Sequence, residues 1–294
     1  MNILLTGATG LLGSAIVEAA HQRGFVCDAL PRPSPSLQGV TLFALAASLH
    51  GYDVLVHAAA NTNVEQCEIA PDDCYRDNFL LTELLAIAAA MAKVKMVFIS
   101  STGIYGEGQE TPYREYDNVH PQTHHHRSKS MAEEVVIRQD ARNLVIRTGW
   151  LFGGKATNPK NFVARRIDEA HEALKANGYI ESNAEQRGVP CFNQDIATRI
   201  LDLAELNWSG VYNCVNTGNA SRFEYVNAVI DLAGLPLEVR PSGAAAFQRK
   251  AKVSNNEMAV NWKMDALGLP AMPEWRASLA YYIQHILLAQ GAQK

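Results

Sequence analysis

The tightest constraint on this chain lies at its start. Asn2-Ile3-Leu4-Leu5-Thr6 runs into Gly7-Ala8-Thr9-Gly10-Leu11-Leu12-Gly13, and Ser14 to Arg23 follows with helical periodicity. A short apolar strand, a turn with glycines at i, i+3 and i+6, and then a helix make a phosphate cradle. Gly7 permits the tight turn, Gly10 lets a pyrophosphate reach the backbone, and Gly13 lets the helix pack close to the strand. Thr9, Leu11 and Leu12 fill the same turn, and the first helical turn offers unpaired N–H groups and a positive dipole end to an anion. A glycine triplet alone is weak evidence; the readable strand before it and helix after it give it weight.

Strands and helices alternate through the first half, the pattern of a doubly wound α/β fold with a parallel sheet. Residues 25–30 read as the second strand, and 31–36 as a loop because three prolines in five residues sustain neither element. Residues 41–44 read as a short strand, 53–59, 94–100 and 143–148 as buried strands, and 75–92 and 128–139 as helices. Beyond Gly153 the texture changes. Helices are expected over 161–176, 195–206, 221–233 and 275–289, strands over 210–215 and 237–240, and a polar loop over 178–188. This divides the chain into a dinucleotide-binding domain, 1–153, and a smaller α/β substrate lobe, 154–294, interleaved with the last sheet elements.

At 294 residues, 48% hydrophobic and 19% charged, the chain can bury a sizeable core. A net charge of -4 points to neither nucleic acid nor an anionic membrane. No apolar run approaches the roughly 20 residues of a membrane span, and no charged leader opens the chain, so a cytoplasmic protein is expected. Cys27, Cys67, Cys74, Cys191 and Cys214 show no close paired spacing, which reads as reduced thiols. His124-His125-His126 precede a helix with no Asp or Cys at ligand spacing beside them, so no metal is expected.

The end of the second strand meets the adenosine ribose in such folds. Asp28 lies too early for it, and Arg32 follows Pro31 with no carboxylate nearby, which favours a 2′-phosphate and hence NADP. Two further strands end in ligand-facing residues: His57-Ala58-Ala59-Ala60 in small ones, Ser100-Ser101-Thr102 in hydroxyls.

With the cradle, these segments resemble the extended short-chain dehydrogenase/reductases, nearest the dTDP-4-dehydrorhamnose reductase branch. The residues that carry the resemblance are Gly7, Gly10 and Gly13; His57 to Thr62 with Val64 and Glu68; Asn78; Ser100-Ser101 before Ile104-Tyr105-Gly106; and Arg147-Thr148-Gly149-Trp150. Weaker matches are Gly188-Val189-Pro190 before Asp195-Ile196-Ala197, and Trp275-Arg276. The resemblance implies a Rossmann-type fold and NADPH-dependent reduction of a keto group on a nucleotide-linked sugar. It places cofactor on Gly7 to Gly13, Ala58, Ala59, Ala60, Asn78 and Lys129, beside the Arg32 already read at the ribose, and substrate near Thr102 and Trp150; Asn161, Arg187 and Arg222 are second-half candidates for the diphosphate and sugar hydroxyls. Arg165, Arg249, Lys250 and Lys252 are further loop cations. Where the branch has Ala-x-Arg-Pro, this chain reads Ala251-Lys252-Val253-Ser254, which argues against dehydrorhamnose itself.

The family's catalytic set is a Ser/Thr, a Tyr and a Lys. Ser101 and Lys129 take two of those places, and His125 stands four residues before Lys129 where the tyrosine belongs. Three accounts stay open: His125 is the acid; Tyr113, Tyr116 or a water held by Ser101 substitutes; or the chain is a catalytically silent nucleotide-binding subunit. Sugar-nucleotide epimerisation or dehydration uses the same constellation. The helices over 75–92 and 128–139 carry apolar residues beyond one face; the resemblance implies that such helices pair into a four-helix homodimer interface, and packing within one chain is the alternative.

Overall fold

The computed structural model describes residues 1–31, 37, 39–176, 178–243, 246 and 249–288. Its centre is a six-stranded, all-parallel sheet. In chain order the first part carries β1 (Asn2–Thr6), α1 (Leu11–Gln22), β2 (Val26–Leu30), α2 (Leu42–Ser48), β3 (Val54–His57), α3 (Val64–Ile69), α4 (Pro71–Tyr75), α5 (Leu81–Ala92), β4 (Lys95–Ser101), α6 (His124–Gln139) and β5 (Leu144–Thr148). The second part carries β6 (Trp150–Phe152), α7 (Phe162–Lys175), β7 (Tyr179–Asn183), β8 (Arg187–Gly188), β9 (Pro190–Phe192), α8 (Asn193–Glu205), β10 (Gly210–Asn213), β11 (Ala220–Ser221), α9 (Arg222–Leu232), β12 (Glu238–Ser242), α10 (Trp262–Ala266) and α11 (Trp275–Tyr281).

The sheet order is β10-β5-β4-β3-β1-β2, so strand order reverses between β1 and β3. A ligand crevice is expected outside the carboxyl ends of the strands at that switch point. β3 and β5 are buried at every position, and β4 at all but Ser101, as near-continuous apolar runs require when both faces of a parallel sheet are covered. One apolar core lies on the α1 and α8 side of the sheet, another on the α2, α5 and α6 side, and two smaller ones in the second part.

Several elements differ from the sequence reading. The short strand expected over 41–44 is instead the start of α2: Thr41 caps it, its hydroxyl accepting from the Ala44 amide at 3.2 Å, and the sheet ends at β2. The expected polar loop 178–188 contains β7, which pairs in parallel with β12, and β8, which pairs with β11. The expected helix 75–92 is the far end of a longer helical run that begins at Pro71 and passes through a π-type turn, Arg76–Leu80, before α5. The last expected helix likewise continues from α11 into a π-type turn, Tyr282–Leu287, and its final residue lies outside the described ones.

The most consequential shift is in α6. It begins at His124 rather than 128, because the Thr123 hydroxyl accepts from the His126 amide at 3.2 Å and caps the helix. The three histidines therefore form its first turn. His125 and Lys129, four residues apart, share one face. β10, far along the chain, joins β5 in parallel and completes the main sheet. No described helix is long and apolar enough to cross a membrane.

Candidate active site

The cradle is built by close contact. Gly7 has φ +73°, and a Cβ there would lie 2.8 Å from the Ala59 amide nitrogen. A Cβ on Gly13 would lie 2.0 Å from the Gly7 carbonyl oxygen, so no side chain fits between the turn and α1. The N-terminus of α1 has no side-chain cap and no acid in its first turn, leaving its N–H groups and dipole uncompensated.

Behind the cradle runs a directed hydrogen-bond chain. The Ala59 amide donates to Thr6 Oγ1 at 3.1 Å, and Thr6 Oγ1 lies 2.7 Å from His57 Nδ1. His57 Nε2 lies 2.9 Å from Thr82 Oγ1, which itself donates to the Asn78 carbonyl at 2.7 Å. Because the Thr82 proton is spent on that carbonyl, His57 Nε2 must carry the donated hydrogen and Nδ1 must accept. Burial, with the Lys129 charge adding to it, holds His57 down at about 3, so it is neutral and structural.

A cavity of about 1020 Å³ opens at the sheet's carboxyl edge. The cradle residues Gly7, Thr9, Gly10, Leu11, Leu12 and Gly13 line one end, with Ala58, Ala59 and Ala60. Ser101, His125, His126 and Lys129 line its middle. Trp150, Arg165, Arg222, Arg249 and Glu257 line the other end. Ser100 and Thr148 also reach it; the Ser100 hydroxyl is buried without a partner, while the Thr148 hydroxyl faces the Cys191 thiol. An unsatisfied buried hydroxyl beside a dinucleotide cradle is what a bound ligand would complete.

The expected catalytic trio is brought together. Ser101 Oγ accepts from the Gly103 amide at 3.1 Å, which leaves its own proton free to donate. Gly103 is obligatory, since a Cβ there would meet the His126 ring at 2.2 Å. Lys129 is 4% exposed, with Nζ 4.1 Å from the Phe98 ring centroid. Burial pushes its pKa down from 10.5 to about 7, with Glu133 and Cys74 opposing. His125 is 6% exposed and is held at about 3, chiefly by burial and then by His126 and Lys129. Its Nδ1 lies 2.9 Å from the Asn61 carbonyl oxygen. A carbonyl only accepts, so Nδ1 carries the hydrogen and Nε2 carries a lone pair.

At the far end, Trp150 Nε1 donates to Glu257 Oε2 at 2.6 Å, and the Arg222 guanidinium carbon sits 3.4 Å from the Trp150 ring centroid. Burial lowers Arg222 to about 10, against the raising field of Glu257. Two contacts strap the cavity mouth: Lys160 Nζ donates to Thr62 Oγ1 at 2.7 Å, and the Lys250 and Ala251 amides donate to Glu65 Oε2.

Other expected residues lie elsewhere. Arg32 falls outside the described residues. Thr102, Asn161 and Arg187 do not line the cavity. Thr102 is 1% exposed and starts a 3-10 turn. Asn161 caps α7, and its amide donates to Tyr282 Oη at 2.6 Å. Arg187 pairs outward with Asn219 and Glu224. Asn78 is one layer back: its Oδ1 accepts from the Asn61 amide at 2.7 Å and its Nδ2 donates to the Asn61 carbonyl at 3.0 Å. The substitute tyrosines are also removed. Tyr113 stacks on Tyr105 and donates to the Gly106 carbonyl, while Tyr116 is exposed against Trp262. Among the described residues no tyrosine lines the cavity.

The sequence reading missed Glu257, Lys160 and the placement of Cys67 and Cys74 against His125. Only the motif through Asn61 hinted at the loop that gathers them.

The family model described as RmlD substrate binding domain matches residues 1–288. The chain belongs to this family. The dTDP-4-dehydrorhamnose reductase of Mycobacterium tuberculosis is 31% identical over 288 residues, covering 95% of this chain and 91% of the relative. A dTDP-4-dehydrorhamnose reductase structure from Clostridium acetobutylicum superposes with a TM-score of 0.88 at 26% identity, covering 99% of this chain and 100% of that one. A Bacillus anthracis structure of the same fold, a dTDP-4-dehydrorhamnose reductase in complex with NADP, gives 0.86 at 24% identity, covering 96% and 98%. The Rossmann-type, mainly parallel architecture is shared across these neighbours.

Proposed function

We propose that this chain uses NADPH to reduce a keto group on a nucleotide-linked sugar. The observation that carries the reading is a single cavity holding the cradle at one end, Ser101, His125 and Lys129 in its middle, and the Trp150–Arg222 stack at the other. The reductase names of the relatives support it. The open α1 N-terminus and the clash-limited glycines fit a dinucleotide diphosphate. When bound, NADPH supplies the hydride.

The chain's own residues divide the remaining work. The cradle amides hold the diphosphate, and Lys129 reaches the ribose. Ser101 Oγ–H donates to the substrate carbonyl oxygen and polarises it. Lys129, whose ammonium loses its proton near pH 7, delivers the proton to the developing alkoxide. With Nδ1–H committed to Asn61, His125 Nε2 accepts a hydrogen bond from a sugar hydroxyl and orients the ring. Arg222 with Arg165, Arg249 and Lys160 neutralises the nucleotide diphosphate, and Trp150 offers an apolar face.

The test is NADPH consumption against a panel of dTDP- and UDP-linked 4-keto sugars. Stoichiometric formation of the reduced sugar supports the reading. Tight NADPH binding with no turnover favours the silent subunit, which the tyrosine-free cavity also suits. Sugar conversion without net NADPH loss favours epimerisation or dehydration. An Arg32→Asp variant that keeps its preference for NADPH over NADH removes Arg32 from cofactor choice. A homodimer is supported by Leu80, Met91 and Met131, exposed by 40%, 45% and 41% on the helical run of α5 and on α6; sedimentation velocity reads it directly.

A further inference from the structure

We propose that the cluster directly behind His125 is a site for one zinc-class divalent cation. Its ligands are Cys67 Sγ, Cys74 Sγ and His125 Nδ1, with the Asn61 carbonyl oxygen in the fourth position. The two sulfurs and the imidazole nitrogen all lie within 4.8 Å of one another, and all three residues are buried. Asn61 O is 2.9 Å from His125 Nδ1 and 3.8 Å from Cys67 Sγ. A tetrahedral zinc with bonds of about 2.3 Å to sulfur and about 2.1 Å to nitrogen spaces its ligand atoms roughly 3.5 Å apart.

The chemistry of the donor set selects the ion. Two thiolates and an imidazole are soft and borderline ligands, which suit zinc and exclude magnesium and calcium. Two thiolates also cancel a dication, so a dry site gains no net charge. The cluster has supporting contacts: Asn78 Nδ2 lies 3.5 Å from Cys74 Sγ, and the same amide grips the Asn61 peptide at both ends. The ligands come from α3, α4 and α6, three helices meeting at one point. The sequence reading dismissed a metal because the adjacent histidines cannot converge. The structure shows that only the middle one needs to, with partners from 58 and 51 residues earlier.

Binding balances as two thiol protons released to solvent for one cation taken up, the imidazole keeping its single proton. That proton leaves Nδ1 and is carried on Nε2, which faces the cavity. The unloaded chain thus presents His125 as an acceptor, and the loaded chain presents it as a neutral donor aimed where a substrate oxygen sits. A neutral imidazole polarising a carbonyl is established enzyme chemistry. This consequence rests on the reductase reading, whereas the binding site itself does not.

The experiment is a cobalt titration of the reduced, chelator-treated full chain, without cofactor or sugar. One equivalent per chain should produce thiolate-to-cobalt absorption in the near ultraviolet and strong visible bands, and zinc should displace it. Cys67→Ser and Cys74→Ser should each weaken binding by more than about 100-fold, beyond the loss of an outer-shell contact. Retained NADPH binding and an unchanged melting profile show that the variants fold. In the zinc-loaded chain, ¹⁵N imidazole shifts should move the His125 hydrogen from Nδ1 to Nε2. A cobalt complex without the thiolate band overturns the site, as does affinity that survives both substitutions. A Cys67–Cys74 disulfide found by mass spectrometry in protein kept under reductant overturns it as well.

Discussion

Replacing Lys129 with Met keeps most of the side chain's volume and removes its charge, so it isolates the cost of holding an ammonium in the cavity wall. Lys129 is 4% exposed, and burial brings its pKa from 10.5 to about 7. That gap corresponds to roughly 5 kcal/mol at about 1.4 kcal/mol per pH unit. Water entering the cavity beside Nζ screens part of it, leaving about 2–4 kcal/mol. The sign follows from proton counting. Below about pH 7 the folded and unfolded chains both hold the proton, and the full cost of burying it is present. Between there and pH 10.5 the unfolded chain keeps a proton that the folded chain has lost, so parent stability rises with pH. Lys129→Met should therefore stabilise the chain most at about pH 6, and the gain should shrink steadily towards about pH 10. Urea unfolding of both proteins, read by tryptophan fluorescence, measures it. The parent-minus-variant curve cancels other titrating groups, including Lys95, which burial lowers to about 8. The same variant should lose reduction altogether, a gain in stability at the expense of function. A variant less stable than the parent at pH 6, or a difference that does not change with pH, refutes the reasoning.

Gly13→Ala drives a Cβ into the Gly7 carbonyl; overpacking of about 1–3 kcal/mol should weaken NADPH binding by about 10–100-fold in a fluorescence titration, with the circular dichroism unchanged. Trp150→Phe keeps an aromatic face under Arg222 but leaves buried Glu257 without its indole donor, which should lower stability by about 1–3 kcal/mol in urea. Arg222→Met should raise KM for the nucleotide sugar far more than it lowers kcat, since the guanidinium binds rather than reacts; the reverse split in steady-state kinetics would move Arg222 into the chemistry. Glu133→Gln strips the Arg147 guanidinium of its carboxylate partner at 2.7 Å, both side chains being under a tenth exposed, and should cost about 3–5 kcal/mol in thermal or urea unfolding.

What could be read from the chain in advance was whatever depends on local spacing. The cradle, the parallel strands and the Ser101, His125, Lys129 register all rest on residues close in sequence, where periodicity and glycine sterics decide the outcome. The errors fell where a cap or a distant strand decides. Thr41 turned an expected strand into α2 through one hydroxyl, and Thr123 moved the start of α6 by a whole turn. β7 is a strand only because β12, almost 60 residues later, pairs with it. The substrate end fared worst for the same reason: Glu257 meets Trp150 across 107 residues, with no spacing to announce it.

His125 shows the limit most sharply. Its place in the cavity wall follows from counting back from Lys129, yet its chemical sense does not follow from being histidine. Imidazole is donor or acceptor towards the cavity according to what occupies its other nitrogen. In this structure that nitrogen faces the Asn61 carbonyl, and Asn61 is held in place by Asn78, whose own carbonyl ends the chain of bonds running back through Thr82, His57 and Thr6 to the Ala59 amide of the cofactor loop. Asn61 therefore ties the loop beside the glycine cradle to the tautomer of His125. Whether His125 offers the cavity a hydrogen-bond donor or an acceptor is set behind it, by the Asn61 carbonyl, rather than by the residue's own pKa.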